Sequence, residues 1–422
     1  MTVRDDFDLT LTAWLDEMAG SGMPDYVDET LDGLWRLDRP PIWMRPGTWL
    51  ASFIAVPRRS VWHQTPALLV LALLVAALLV TAVLVGSRHE LPPPLGLARS
   101  GLLAFEADGD IYLAQPDGRD PELFVGGPGD QYGATWSPDG TRLAYLSAPA
   151  AGSSSELWVV TPGASGPRKV VGDTASFTSG ALVWSPAGRQ LVIATGTGEL
   201  WLIDVDGTGR RRLGDASLLY SLPSWSPDGT RIAVRAAHPS DELTYQGHVI
   251  GVEDDSEINL GSSMGSGIAH GGYAWSSDGK AVLYHLMRSE ADLDIAIARL
   301  DPAGVWREDV LFAGPTRDVL PTWSNDGTHM AFIRTDGFGT PAQANQLMVA
   351  NADGSSIHAI GDRPIDQHAP CWSPDDLSIG VTSYSSVDLR PVLVLVSMNG
   401  AQVEIPVPGR ASAACSWQRL AP

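Results

Sequence analysis

Short apolar stretches and polar turns alternate along residues 100–420 with a nearly regular period. Seven times a short apolar stretch ends at a tryptophan, and six of these are followed by a polar turn that reads Ser-Pro-Asp-Gly or a close variant of it. Successive tryptophans are 41 to 50 residues apart, and they are Trp136, Trp184, Trp225, Trp275, Trp323, Trp372 and Trp417. A period of this length indicates repeated supersecondary units, and for all-β units it indicates a propeller.

Each period predicts a four-stranded antiparallel sheet. The strand that ends at the tryptophan, the Trp strand, is followed by a second apolar stretch such as 143–145, a third such as 157–160 and a weaker fourth. The third stretch often ends in Asp-Gly or Asn-Gly, a strong hairpin signal because both residues tolerate positive φ. The tryptophan therefore marks a core position between sheets, and the aspartate of each polar turn is a turn residue.

The two ends of the repeat region complement each other. An extra second and third stretch, 102–105 and 111–114, precede Trp136, whereas nothing follows the strand of Trp417. We expect the strand of Trp417 to pair with 102–105, which closes the ring and leaves no long open edge. The count favours an all-β, seven-bladed β-propeller. Six blades is the alternative, if the weak region 253–259 does not complete a sheet.

A different pattern lies nearer the N-terminus. Residues 67–85 are Ala, Leu and Val, with Thr81 as the one polar side chain. About twenty such residues span the hydrocarbon core of a bilayer, which predicts a transmembrane helix over 67–86. Arg58 and Arg59 precede this segment closely, so the positive-inside rule places the N-terminus in the cytoplasm and the propeller outside.

These patterns divide the chain into five regions. Residues 1–40 predict a small acidic helical segment, 41–66 a juxtamembrane segment rich in Trp and Arg, 67–86 the transmembrane helix, 87–99 a Pro-rich linker and 100–422 the propeller. The helical segment either docks on a partner, on the bilayer or on a second copy of itself, or is a loosely ordered leader. The chain is thus expected in the cell membrane as a single-pass protein.

The amino-acid composition limits the classes of ligand that the chain is expected to bind. Acidic residues outnumber basic ones 49 to 28, a formal net charge of −21. That argues against nucleic-acid binding, which needs clustered Lys and Arg. The two cysteines, Cys371 and Cys415, form no CxxC pair and hence no Cys-rich zinc site. Cys371 lies one residue before its tryptophan and Cys415 two before, so strand alternation predicts opposite faces and two buried thiols. Their oxidation state is not fixed by the sequence.

The Trp-Ser-Pro-Asp-Gly copies, each followed by a strand such as 143–145, resemble the WD-like propeller repeats of TolB and of the dipeptidyl-peptidase N-terminal domain. The resemblance covers roughly residues 100–420. It implies a propeller that presents a binding face or gates a partner domain, and such propellers bind proteins, peptides and small molecules alike.

One catalytic pattern is present. Residues 261–265 read Gly-Ser-Ser-Met-Gly, which satisfies G-x-S-x-G, and His270 is close in sequence. A nucleophile elbow needs a strand, a sharp turn and a helix, whereas this segment joins two predicted strands. We interpret the match as chance and expect no enzyme activity and no cofactor. A propeller lactonase or hydrolase is a third hypothesis, but the sequence offers no convergent metal ligands and we expect no metal.

The position five residues before each tryptophan is polar or amphipathic in all seven repeats. In propellers of this kind the loop before the innermost strand rims the central channel, where hydrogen-bonding groups can hold a ligand. The candidate ligand-binding residues are Gln131, Ser179, Tyr220, His270, Asp318, Gln367 and Ser412. Solvated loop tips are polar too, so the same pattern also fits a rim without a ligand.

Two functions follow from this layout. The first is a membrane-anchored extracytoplasmic propeller that acts as a non-catalytic binding or scaffolding module for a protein, peptide or envelope ligand. The alternative is a single-pass signalling protein of anti-sigma-factor type, with the propeller as sensor and a cytoplasmic partner on the N-terminal helices. The zinc-binding type of anti-sigma factor has a His and Cys cluster, whereas residues 1–62 contain neither residue.

Overall fold

The computed structural model describes residues 96–421, except for 149–153, 165, 175–176, 265–271, 290–291, 315, 339–343, 386, 389 and 408. The predicted helical, juxtamembrane and transmembrane segments lie outside these residues, as does most of the Pro-rich linker. Within the described part of the chain, no helix is long and apolar enough to cross a membrane. All the named elements in this part are β-strands.

The strands form antiparallel sheets of four, mostly in chain order. Sheet 1 contains β1 (Arg99–Ala107), β2 (Asp110–Ala114), β3 (Glu122–Val125) and the C-terminal β28 (Ala411–Leu420). Sheet 2 contains β4 (Asp130–Trp136), β5 (Leu143–Ala148), β6 (Ser155–Val160) and β7 (Arg168–Thr174). Sheet 3 contains β8 (Phe177–Trp184), β9 (Gln190–Thr195), β10 (Leu200–Asp204) and β11 (Arg211–Leu213). Sheet 4 contains β12 (Leu219–Trp225), β13 (Arg231–His238), β14 (Asp241–Gly251) and β15 (Glu257–Met264).

Sheet 5 has eight strands and consists of two halves joined by one parallel pairing, Leu293 with Arg317. Its first half contains β16 (Ala274–Trp275), β17 (Ala281–Ser289), β18 (Asp292–Leu300) and β19 (Trp306–Phe312). Its second half contains β20 (Arg317–Trp323), β21 (His329–Asp336), β22 (Ala344–Asn351) and β23 (His358–Ala359). Sheet 6 contains β24 (Cys371–Trp372), β25 (Ser378–Tyr384), β26 (Pro391–Ser397) and β27 (Gln402–Glu404).

The predicted pairing of the two ends is confirmed. β28 runs antiparallel to β1, with Leu103 opposite Trp417 and Ala104 opposite Ser416. Sheet 1 is therefore built from both ends of the repeat region. Each Trp strand contacts the Trp strand of the next sheet or half-sheet, and β28 in turn contacts β4, so the contacts close into a ring.

The tryptophans pack between neighbouring sheets, as the repeat predicts. Trp184 Nε1 donates to the carbonyl of Thr135 in the preceding sheet at 3.0 Å, and Trp275 Nε1 donates to Ser224 O at 3.0 Å. Within the described residues, seven apolar clusters combine side chains from adjacent sheets or half-sheets, two in six of the clusters and three in the one that includes Leu293. The core thus lies between the sheets.

The polar turn after each tryptophan is held by its own side chains, which confirms the structural reading of its aspartate. Ser226 Oγ donates to Asp228 Oδ1 at 2.6 Å, and the same oxygen accepts from Thr230 N at 3.0 Å. Gly229 completes the turn at φ +70°, where a side chain would be strained. Burial alone would raise the pKa of Asp228, but the hydrogen bonds from Ser226 and Thr230 outweigh it and lower the pKa.

The expectation that Cys371 and Cys415 face apart is wrong, because they form a disulfide with Cα atoms 6.2 Å apart. The alternation itself holds, but the two residues belong to adjacent sheets. Trp417 points back to sheet 6, where its Nε1 donates to Cys371 O, and Cys415 lies on the same face of β28. Cys371 lies on the face of β24 opposite to Trp372, so its side chain points to β28 in the next sheet. The face of β24 that carries Cys371 and the face of β28 that carries Cys415 therefore meet between sheet 6 and sheet 1.

Candidate binding site at the rim end

Each Trp strand has two unlike ends. We call the end where the strand begins, about five residues before the tryptophan, the rim end, and the end that carries the polar turn the turn end. At the rim end Gln131 N donates to Gly109 O at 2.6 Å, and Tyr220 N donates to Gly198 O at 2.7 Å. In both cases the acceptor lies in the turn between the second and third strands of the preceding sheet. The backbone of this position is therefore fixed by the neighbouring sheet.

The predicted rim residues have different surroundings. Gln131 is buried, and in the amide orientation that satisfies both partners its Nε2 donates to Gly109 O at 3.2 Å and Asp110 Oδ1 at 3.0 Å. Gln367 is half-buried, and its Nε2 donates to Thr335 Oγ1 at 3.0 Å. Both side chains thus lie at the rim end and hydrogen-bond to the preceding sheet or half-sheet.

Tyr220 reaches away from the other rim residues. Its side chain is 1 % exposed, and its hydroxyl accepts a hydrogen bond from Asp215 N at 2.8 Å and donates to Glu257 at 3.0 Å. Burial, and then the Glu257 carboxylate, raise the pKa of Tyr220. Because Glu257 lies on the fourth strand of sheet 4, this side chain ties the first strand to the last one.

Asp318 forms a buried ion pair at the rim end. The guanidinium of Arg334 donates to both of its carboxylate oxygens, at 2.7 and 2.6 Å. Burial raises the pKa of Asp318 even though Arg334 opposes the shift. The side chains of Ser179 and Ser412, and all of His270, lie outside the described residues.

The structure adds charged residues that the repeat pattern does not single out. Arg235 and His285 occupy equivalent positions on adjacent sheets, three residues after the partners of Trp225 and Trp275. Arg317 and Asp294 lie close by, at the parallel pairing that joins the halves of sheet 5. We call the following set the rim cluster: Arg235, His285, Asp294, Arg317, Asp318 and Arg334. Four of its members are at most 4 % exposed, namely His285, Asp294, Arg317 and Asp318.

Aromatic rings hold two of the guanidiniums. Arg235 lies 4.2 Å from the ring centroid of Tyr245, and its Nε donates to Ser221 Oγ at 2.8 Å. Arg317 lies 3.9 Å from the ring centroid of Phe338. Burial lowers the pKa of Arg235. Stacked arginines of this kind keep a fixed plane and present donors along their edges.

His285 is the uncharged centre of the rim cluster. Burial, and then the cations Arg235 and Arg317, lower the pKa of His285 to about 4. Among the described residues its Nδ1 has no hydrogen-bond partner. A buried polar atom left in this state costs free energy, and a bound ligand can supply the missing partner. The arrangement suits a ligand that carries a carboxylate or a similar anionic group.

The G-x-S-x-G match does not form a nucleophile elbow. Ser263 lies within β15, opposite Gln246 of β14, and not on a turn between a strand and a helix. Among the described residues, no three His, Cys, Asp or Glu side chains are grouped so that they could hold a metal ion.

Comparison with known proteins agrees with this architecture. The family model of the TolB beta propeller domain matches residues 106–374. The tricorn protease matches over 77% of this chain and 35% of its own, with 13% identity and a TM-score of 0.57. Oligogalacturonate lyase from Vibrio parahaemolyticus matches over 74% and 86%, with 11% identity and a TM-score of 0.51. TolB from Acinetobacter baumannii matches over 77% and 81%, with 15% identity and a TM-score of 0.49. At such identities the likeness to the tricorn protease and to oligogalacturonate lyase concerns the fold alone.

Proposed function

The chain belongs to the TolB beta propeller domain family, and from this premise we propose that it is a non-catalytic binding module. In this proposal the propeller captures a protein or peptide ligand, and a membrane helix over 67–86 anchors it to the cell membrane with the propeller outside. The observation that carries the proposal is the rim cluster. The guanidiniums of Arg235, Arg317 and Arg334 and a buried, neutral histidine converge at one end of the Trp strands, whereas the interfaces between the sheets are apolar.

We propose that the ring has seven blades. The two halves of sheet 5 share a single parallel residue pair, and each half has its own Trp strand and four strands. An apolar cluster between the halves, which includes Phe312 and Phe332, resembles the clusters between the separate sheets. Within the weak region named in the sequence, residues 257–259 begin β15, which pairs with β14. These features favour seven units over six.

The disulfide supports a propeller outside the cytoplasm. Disulfides persist in oxidising compartments and are rare in the cytosol, where thiols are kept reduced. Cys371 and Cys415 join sheet 6 to the C-terminal strand at the closure of the ring. The proposed orientation, with basic residues before 67–86 and the propeller after it, places this bond in the oxidising compartment.

Within the binding proposal the predicted rim residues have separate roles. Asp318 is a member of the rim cluster and sets the position of Arg334, and Gln367 lies at the same end and sets that of Thr335. Gln131 is the rim residue of sheet 2, and Ser179, His270 and Ser412 are proposed as rim residues from their positions before the tryptophans alone. Tyr220 positions its strand, because its hydroxyl is already shared with Glu257.

Site-specific crosslinking in the native membrane tests this function. A photoreactive amino acid replaces Gln367, which is half-buried at the rim end. The control is the same amino acid at Val403, which is 48% exposed on the fourth strand of sheet 6. We expect a defined protein or peptide adduct from the rim position only. Equal adducts from both positions, or none from the rim, would contradict the proposal.

The absence of catalysis is part of the proposal. Its support is that Ser263 lies in a paired strand, so the one catalytic pattern in the sequence lacks the turn it needs. The structural neighbours named as a protease and a lyase show that enzymes use related propellers, and their activities are their own.

A signalling role of anti-sigma-factor type is the alternative that uses the same layout. It would add a cytoplasmic partner for residues 1–40, with the propeller as sensor. Its support is the acidic character of this segment, which contains ten Asp and Glu residues. Crosslinking of the full chain from within residues 1–40 distinguishes the two functions, since only signalling requires a specific cytoplasmic adduct.

A further inference from the structure

The turn end repeats one contact between neighbouring sheets. Arg142, just before β5, lies with its guanidinium 5.1 Å from the ring centroid of Trp184 in the next sheet, and its Nη2 donates to Gly188 O at 2.6 Å. Arg231, the first residue of β13, does the same with the following sheet. It lies 5.2 Å from the ring of Trp275, and its Nη2 donates to Gly279 O at 3.1 Å.

Each of these arginines also has an aspartate of its own turn nearby. Arg142 Nη2 lies 3.7 Å from Asp139, and Arg231 Nη2 lies 3.8 Å from Asp228. The molecule thus contains two internal examples of a receptor for guanidinium. The parts of this receptor are an indole face, a turn carbonyl and a carboxylate.

Between sheets 3 and 4 the receptor has no arginine of its own in the equivalent position. Gln190 occupies the position of Arg142 and Arg231, and Ala187 occupies that of the turn aspartate. The Gln190 amide turns aside and donates to Asp204 Oδ1 at 2.9 Å. A cleft of about 270 Å³ remains there, and its walls include Trp225, Gly229 and Asp204.

We propose that this cleft binds the guanidinium group of an arginine side chain on a partner protein. The guanidinium stacks on the indole of Trp225 and donates to the carbonyl of Gly229, as Arg142 and Arg231 do with their own neighbours. The carboxylates of Asp204 and Asp228, both in the wall, replace the missing turn aspartate. The net charge of −21 favours the approach of a cationic partner.

Arginine fits this receptor better than lysine does. The planar guanidinium can stack on an indole and donate along its edge at the same time, whereas an ammonium is a point charge. Arg189 is exposed at the wall of the cleft and repels a cation there. Its replacement by alanine is therefore expected to strengthen binding.

This site lies at the turn end and is independent of the proposed rim function. Substitutions at Gln190 and Arg231 touch no residue of the rim cluster, so the failure of one proposal leaves the other standing. The partner defined here carries an exposed arginine, whereas the rim cluster suits an anionic group.

The test uses the full chain in detergent and Nα-acetyl-arginine amide as the probe. Binding is measured by calorimetry, with the citrulline analogue as a neutral isostere. We expect Gln190→Arg to weaken binding by about tenfold or more, because an internal arginine then fills the cleft. The citrulline analogue should bind more weakly than the arginine probe by a similar factor.

A second substitution distinguishes the filling of the cleft from a general disturbance of the fold. Arg231→Gln should open the equivalent cleft between sheets 4 and 5 and restore probe binding in the Gln190→Arg background. The proposal is overturned if Gln190→Arg binds the probe as the parent chain does. It is equally overturned if the parent chain does not distinguish arginine from citrulline, or if Arg231→Gln restores nothing.

Discussion

The two ends of the Trp strands follow different rules. At the turn end, Ser226 and Asp228 repeat a hydrogen-bonded pattern that recurs in Ser276 with Asp278 and in other copies. At the rim end, equivalent positions hold unrelated side chains, such as Leu146, Arg235 and His285. Repetition therefore marks what every sheet needs in order to fold, and departure from repetition marks where function can lie. Both proposals rest on such departures.

Removal of a repeated tryptophan should have the largest effect. Trp275 is buried, packs edge-on against Trp306 at 5.8 Å and carries the guanidinium of Arg231 on its face. We expect Trp275→Ala to lower the free energy of unfolding by about 3 to 5 kcal/mol. Chemical denaturation measures this, and Gln367→Ala at the rim end is the control, with an expected loss below about 1 kcal/mol. Equal losses of unfolding free energy in Trp275→Ala and Gln367→Ala would contradict the distinction between the turn end and the rim end.

Loss of the disulfide should come next. Cys371 and Cys415 are 44 residues apart in sequence and join sheet 6 to the strand that closes the ring. We expect Cys415→Ser to cost about 2 to 4 kcal/mol in the free energy of unfolding. A reductant should bring the parent chain to the same melting temperature as a chain with both cysteines replaced by serine. A parent chain that is indifferent to reductant would contradict the closure described here.

The rim cluster should make stability depend on pH. The pKa of His285 falls from 6.5 to about 4 on folding, so the unfolded chain binds more protons between these values. The free energy of unfolding should therefore fall as the pH drops from about 6.5 to 4, by up to about 3 kcal/mol. Urea denaturation across this range measures the loss, and His285→Leu should remove it. A variant with the slope of the parent chain would show that another group titrates.

The smallest effect concerns the one turn that lacks its aspartate. Ala187→Asp should stabilise the chain by about 0.5 to 1 kcal/mol at neutral pH, because the carboxylate can accept the hydrogen bonds seen at Asp228. The pKa of Asp228 is lowered, so this contribution is present above its ordinary value of 3.8 and disappears as the pH falls through the folded value. Asp228→Ala should lose a comparable amount with the same pH dependence. Thermal unfolding at pH 7 and pH 3 compares all three chains.

The sequence predicts the fold because the fold is repetitive. Trp184, the Asp-Gly turns and the incomplete last repeat are enough to place the sheets and the pairing of β28 with β1. The prediction for the cysteines is wrong because alternation gives the face of each residue relative to its own strand only, while the faces that meet belong to two adjacent sheets. That error concerns tertiary arrangement, which a period along the chain does not contain.

The candidate sites are less predictable, for a related reason. The fixed offset from the tryptophan identifies Asp318 but also Tyr220, whose side chain turns to Glu257. Arg235 and His285 lie on the second strands, where other sheets have Leu146 or Ala194, so no periodic signal marks them. Ala187 is visible in the sequence as a departure from the repeat, and Gln190 stands where two other copies have arginine. Only the structure relates these two residues to a possible arginine site, because it places the guanidinium of Arg142 over the tryptophan of the neighbouring sheet.

The central claim is that the rim end, and not the whole propeller surface, captures a ligand. The most direct measurement is quantitative capture of crosslinked partners by the full chain in its own membrane, with His270→Ala and Asp318→Asn combined. A chain with Val403→Ala, altered on an outer strand, is the matched control. The account predicts that the double variant loses its specific partner while the control keeps it. Undiminished capture by a folded double variant would contradict the account.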